Sequence, residues 1–139
     1  MRIVLDTNIF NSAFISNKGI PAQALELWFD GRYTLVTSTW QLGEIRRTSR
    51  YERVQKRVEP ALVGRFVNLL RSYAVVVDKL PRVDASPDPD DDNTIATGIA
   101  GEANYIVSGD KDDMLKLEKV QGIPIITARA FASMFDKSM

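Results

Sequence analysis

The sequence predicts an α/β fold, a parallel sheet covered by helices on its faces. Short apolar runs rich in branched residues, at 3–5, 33–37, 73–77, 105–107 and 123–126, recur along the chain with helical segments between them. Strands separated by helices pair through parallel crossovers, and strands buried on both faces read as unbroken apolar runs. The first run ends abruptly in Asp6. Open sheets of this kind place their ligands beyond the C-terminal ends of the strands.

Each element follows from local chemistry. Ile3-Val4-Leu5 is too short for a helix and reads as a buried strand. After it, residues 9–15 are expected to form helical turns, capped by Thr7 or Asn8 and stopped by Gly19. Pro21 suits the first position of a second helix over 22–29, which Gly31 ends. Residues 33–37 make the second strand, and Ser38 or Thr39 caps a helix carrying Leu42, Glu44 and Ile45. The basic stretch 46–58 is helix or loop. Pro60 opens a helix in which Leu62, Val63, Phe66, Val67, Leu69 and Leu70 recur at helical spacing, before a third strand at 73–77. Residues 80–89 form a proline-containing loop, and 94–103 a helix of small residues that Asp92 opens. The fourth and fifth strands follow at 105–107 and 123–126, and a last helix at 128–135. Trp28, Trp40 and Phe66 are assigned mostly to the core. No repeat or composition break divides the 139 residues, so a single domain over 1–139 is expected.

Composition narrows the chemistry. Cysteine is absent, which excludes disulfides and thiolate metal sites; histidine is absent too, removing the usual general base and zinc ligand. The acid at position 6 cuts the opening apolar run too early for a signal peptide, and no run approaches the ~20 residues of a membrane helix. A cytoplasmic location and no membrane partner are therefore expected. With a net charge of zero, attraction to nucleic acid must come from a local patch.

The acids carry the chemistry that remains. Asp6 ends the first strand, Glu44 lies on the helix after the second, Asp92 opens the helix before the fourth, and Asp110 follows the fourth. Clustered carboxylates repel by several kcal/mol unless a cation or proton compensates them. With oxygen ligands alone, the matching ion is Mg²⁺ or Mn²⁺. Such ions activate water against phosphodiesters. Singly, each acid has a plainer reading: Asp6 a helix cap, Glu44 a solvated residue, the acids of 88–92 a dipole-complementing first turn, Gly109-Asp110 a turn. An EF-hand loop starting at Asp88 is excluded, because Asn93 and Ile99 stand where Gly and Glu are required.

Leu5-Asp6-Thr7-Asn8, Leu42-Gly43-Glu44-Ile45, Asp92-Asn93 ahead of Ile95-Ala96, and Ile106 to Asp112 together resemble the PIN-domain signature. The resemblance is closest to the VapC-like toxin ribonucleases of bacterial toxin–antitoxin pairs, and it spans essentially the whole chain. It implies a three-layer α/β/α fold with about five parallel strands ordered 3-2-1-4-5. It implies a Mg²⁺- or Mn²⁺-dependent endoribonuclease, an antitoxin partner and a homodimer. By position, Asp6, Glu44, Asp92 and Asp110 become the catalytic and metal-binding quartet, with Asp112 a fifth metal-binding acid. Thr7, Asn8, Asn93 and Ser108 would orient carboxylates or water. Asp113 departs from the pattern, which is apolar there, and leaves open whether Asp112 or Asp113 faces the site.

Positive charge is densest between Arg46 and Arg57. In one continuous helix, Arg46, Arg50, Arg53 and Arg57 would line one face, and Arg47 and Tyr51 would share the face of Glu44. An RNA-binding role for these arginines, with Tyr51 as a stacking platform, stands beside a solvated surface or an antitoxin contact. Two rivals remain for the whole chain. One is a phosphatase with Asp6 as nucleophile, although Asn8 stands where such enzymes carry a second acid. The other is a catalytically silent module that binds RNA or protein.

Overall fold

A computed structural model describes residues 1–109 and 112–135; of Glu52, Arg53, Asp112 and Asp113 it describes the backbone. The chain begins with β1 (Arg2–Leu5), α1 (Thr7–Ile15) and α2 (Ile20–Phe29), continues through β2 (Thr34–Ser38), α3 (Thr39–Thr48), the short α4 (Glu52–Gln55) and α5 (Pro60–Tyr73), and reaches β3 (Val75–Val77). After a long connection come α6 (Pro89–Ala100), β4 (Tyr105–Ser108), α7 (Asp112–Lys116), β5 (Lys119–Val120), β6 (Ile123–Thr127) and α8 (Ala128–Ser133).

The sheet order is β3-β2-β1-β4-β6-β5, parallel throughout except that β5 returns antiparallel on β6. The five strands read from sequence take the expected order, and the sixth is the two-residue β5, too short to leave a periodic signal. It pairs through a tight turn in which Gly122 holds φ +82°.

Residues alternate across the sheet because successive strand side chains point to opposite faces. Ile3, Leu5, Leu35 and Val107 enter a core with Ile9, Phe10, Ile45, Val67 and Phe131; Val4, Val36 and Ile106 enter a second core with Ile95 and Met114. These two cores make the fold three-layered. On the second face α6 approaches the strands closely. A Cβ at Gly98 would stand 2.9 Å from Ile106, and one at Gly101 would collide with Val36.

Four local details depart from the sequence reading. Asp6, not Thr7 or Asn8, precedes α1, and Gly19 starts α2 rather than ending α1, which stops at Ser16. Helix α3 ends at Thr48, and Tyr51 begins a separate turn. Arg46, Arg50, Arg53 and Arg57 therefore share no continuous helix face. Helix α6 starts at Pro89 with Asp88 as its cap, so Asp92 lies within the helix instead of opening it.

Candidate active site

An acidic cleft of about 160 Å³ lies at the C-terminal edge of the sheet. Its walls are Asp6, Thr7 and Asn8 from the β1–α1 junction, Trp40, Glu44 and Thr48 from α3, and Asp88, Asp90, Asp91 and Thr94 from the start of α6. Asp6 is there because β1 ends one residue earlier: its amide donates to Val107 O at 2.8 Å, and its own carbonyl accepts from Ile9. Its carboxylate takes no part in capping α1. Asp6 and Asp91 are both buried.

A polar network behind the cleft locks its three walls together. Gln41 Nε2 donates to Leu5 O at 2.6 Å, one residue before Asp6, while Thr37 Oγ1 donates to Gln41 Oε1 at 2.6 Å. Ser38 caps α3 through the amide of Gln41, and its hydroxyl meets that of Thr97 on α6 at 2.9 Å. Gln41 and Glu44 are three residues apart, hence near neighbours on one side of α3. Gln41 thus sets the height of Glu44 against Asp6. The sequence reading missed Gln41; a glutamine amid apolar positions one turn before the acid was the available signal.

Charge in the cleft is lopsided. Arg47 forms a fork on Glu44, with Nε to Oε1 at 2.9 Å and Nη2 to Oε2 at 2.7 Å, and lies 3.8 Å from Asp90 Oδ2. These contacts with Glu44 hold the guanidinium even more firmly protonated than usual. Partial burial, then the charges of Glu44 and Asp88, push the Asp90 carboxyl above the usual range, against a downward pull from Arg47. The Thr7 hydroxyl is buried with no hydrogen-bond partner among the described residues. Buried polar atoms in this condition call for a ligand or its water. An oxygen-only donor set with an orphaned hydroxyl fits a hard divalent cation. Among the described residues, however, no three acids are drawn close enough together to hold one as they stand.

The structure gathers some of the sequence-derived residues and leaves others aside. Asp6, Glu44, Thr7 and Asn8 meet in the cleft. Asp92 does not line it. Its Oδ1 accepts from the amides of Ala85 and Ser86 at 2.9 and 2.8 Å, fastening the incoming loop to α6. The acid of this helix that does face the cleft beside Asp6 is Asp91, whose Oδ2 accepts from Ser86 Oγ at 3.2 Å. Counting back from the buried Ile95 and Gly98 by four and seven residues reaches Asp91, not Asp92. Asn93 lies outside the lining of the cleft, and buried Ser108 lines a separate hollow with Ile9, Ser12, Thr127 and Arg129. Asp110 lies outside the described residues, and so do the side chains of Asp112 and Asp113. Gly109 packs where a Cβ would be 3.3 Å from that of Asn8, so the chain leaves β4 against the start of α1.

Of the basic residues, Arg47 reaches the acids, and Tyr51 accepts from its Nη1 at 2.7 Å. Arg46 and Arg50 border a different shallow pocket against Pro60 and Val63 of α5; Arg57 is exposed, and the Arg53 side chain lies outside the described residues. Half-buried Trp40 forms part of the cleft wall instead of sitting wholly in the core.

Three comparisons with known proteins bear on this geometry. A family model described as PIN domain matches residues 2–112. An uncharacterized protein of Methanocaldococcus jannaschii is 28% identical over 145 residues, covering 99% of this chain and 93% of that one. The crystal structure of VapBC2 from Rickettsia felis bound to a promoter DNA fragment contains a chain of the same fold. The TM-score is 0.57 at 16% identity, over 91% of this chain and 98% of that one.

Proposed function

The chain belongs to the PIN-domain family, and from that premise we propose that it is a divalent-metal-dependent endoribonuclease, the toxin of a toxin–antitoxin pair. The observation that carries the reading is the cleft itself: Asp6, Glu44 and Asp91, from three different elements, line it together beside a Thr7 hydroxyl that has no partner among the described residues. Asp110, two positions after the last residue of β4 in the sequence, is the fourth acid by resemblance. Together these carboxylates would hold Mg²⁺ or Mn²⁺.

A divalent ion held by these carboxylates would make an attacking water more acidic and offset the charge developing on a phosphodiester. The chain's own residues do the rest. Asp6 and Asp91, both buried, are held in place by the Asp6 backbone hydrogen bonds and by the Ser86 hydroxyl on Asp91. Thr7 offers a hydroxyl to orient water. Trp40 on the cleft wall and Tyr51, exposed and bonded to Arg47, offer aromatic faces on which bases of single-stranded RNA would stack. With no histidine in the sequence, proton removal falls to the carboxylates and the ion.

Partners belong to the same proposal. Phe29 and Leu62, both well exposed, edge an apolar groove between α1, α2 and α5, a surface suited to an antitoxin or a second copy. No helix among the described residues is long and apolar enough to cross a membrane.

The test is calorimetric. Asp6→Asn should abolish Mn²⁺ uptake and RNA cleavage while thermal unfolding stays at or above the original temperature, because carboxylate repulsion falls. Full Mn²⁺ uptake and cleavage by that variant would remove Asp6, and with it this site, from the reaction.

A further inference from the structure

We propose that Arg47 is the cleft's built-in counter-ion, which a divalent cation must displace from Glu44 before the carboxylates can close around it. The inference rests on the metal-dependent reading above. Both oxygens of Glu44 are committed to one guanidinium, at 2.9 and 2.7 Å. A carboxylate engaged in this way has its strongest acceptor directions occupied and cannot offer them to a metal. Among the described residues, no three acids are gathered tightly enough to hold an ion.

Arg47 cannot vacate by losing its proton, since a guanidinium stays charged in proteins. It has to move, and its surroundings permit this. The Arg47 side chain is 53% exposed and approaches from solvent, whereas the Glu44 side chain is only 12% exposed. The Tyr51 hydroxyl holds Nη1 at 2.7 Å, and the guanidinium carbon lies 5.8 Å from the Tyr51 ring centroid. Once released from Glu44, the guanidinium keeps this second anchor and stays at the mouth of the cleft. A phosphate oxygen of the substrate is the anion it would meet there.

Arg47 therefore takes either of two anions, Glu44 when the cleft holds no metal and the RNA backbone when it does. The device offsets the charge of Glu44 when no metal is bound. It also couples metal loading to substrate capture, and such coupling is reciprocal.

Mn²⁺ titration calorimetry on the full chain, with no RNA present, separates the outcomes. Arg47→Gln should bind Mn²⁺ about threefold or more tightly than the parent, an exposed pair being of modest strength. Arg47→Lys, which keeps the charge without the fork, should fall between them. Arg65→Gln removes the same charge from α5, where no ion pair is formed among the described residues, and should match the parent. Unchanged or weaker binding in Arg47→Gln, or equal tightening in Arg65→Gln, would overturn the inference while leaving the metal reading intact. Failure of parent and variants alike to take up Mn²⁺ would overturn both. Unchanged thermal unfolding of each variant verifies that the fold is not the variable.

Discussion

Helices α3 and α6 face each other across the cleft and supply its charge in opposite ways. Helix α3 contributes one acid with its own cation three residues on, Glu44 with Arg47. Helix α6 contributes a run, Asp88 to Asp92 around Pro89, and no cation at all. On α3 the acid's place is set by a buried amide, Gln41, that reaches across to β1. On α6 the acids are sorted by helical register. Asp88 caps, Asp90 stays at the rim, Asp91 turns into the cleft, and Asp92 turns away to hold the loop at Ala85 and Ser86. Adjacent residues of one type can thus hold unrelated posts, and 100° per residue decides which.

The sharpest way to break that contrast is to neutralise the two neighbours separately. Asp91→Asn should cut RNA cleavage on the order of 100-fold or more. Asp92→Asn should leave cleavage within a few-fold, because its carboxylate serves the loop. Initial rates on one single-stranded RNA at saturating Mn²⁺ decide it, and the reverse ranking would restore Asp92 to the catalytic set.

The α3 side is tested through its buried amide. Gln41→Leu strands the carbonyl of Leu5 and the hydroxyl of Thr37 in a dry interior, at a cost of about 2–3 kcal/mol in unfolding free energy. Urea denaturation measures the loss. A change below experimental error would mean that the Gln41 contacts do not set the height of Glu44.

What the sequence showed and what it hid follow the same division. The strands were legible because both faces of the sheet are buried, so Ile3 to Leu5 and Tyr105 to Val107 read as unbroken apolar runs; Asp6 was legible because it ends the first of them. The start of α6 was harder. Three consecutive aspartates look alike to any composition argument, and the informative signal was Pro89, a residue suited to the first turn of a helix. Taken as the start, it puts Asp91 one turn before Ile95 on the buried side. The Arg46–Arg57 stretch misled for a different reason. Charge spacing is compatible with a long helix, but the break after Thr48 depends on packing against α1, where Asn11 Nδ2 donates to Thr48 Oγ1 at 2.6 Å. No local pattern announces that contact.

A smaller effect concerns the rim. The Asp90 carboxyl titrates higher in the folded protein than in the unfolded chain, so its ionised form opposes folding. That opposition is absent below the unfolded carboxylate range, sets in as pH rises through it, and persists to neutrality. In EDTA, Asp90→Asn should raise the unfolding temperature slightly at neutral pH and leave it unchanged near about pH 3. An equal shift at both pH values, read by thermal scanning, would place the effect outside Asp90's charge.

The central claim is that this cleft hydrolyses RNA with water and a divalent ion, and the chemistry of the new ends tests it most directly. Cleavage in Mn²⁺ followed by end-group analysis should give 5′-phosphate and 3′-hydroxyl termini, with all cleavage lost in excess EDTA. A 2′,3′-cyclic phosphate, or cleavage that persists in EDTA, would contradict the account.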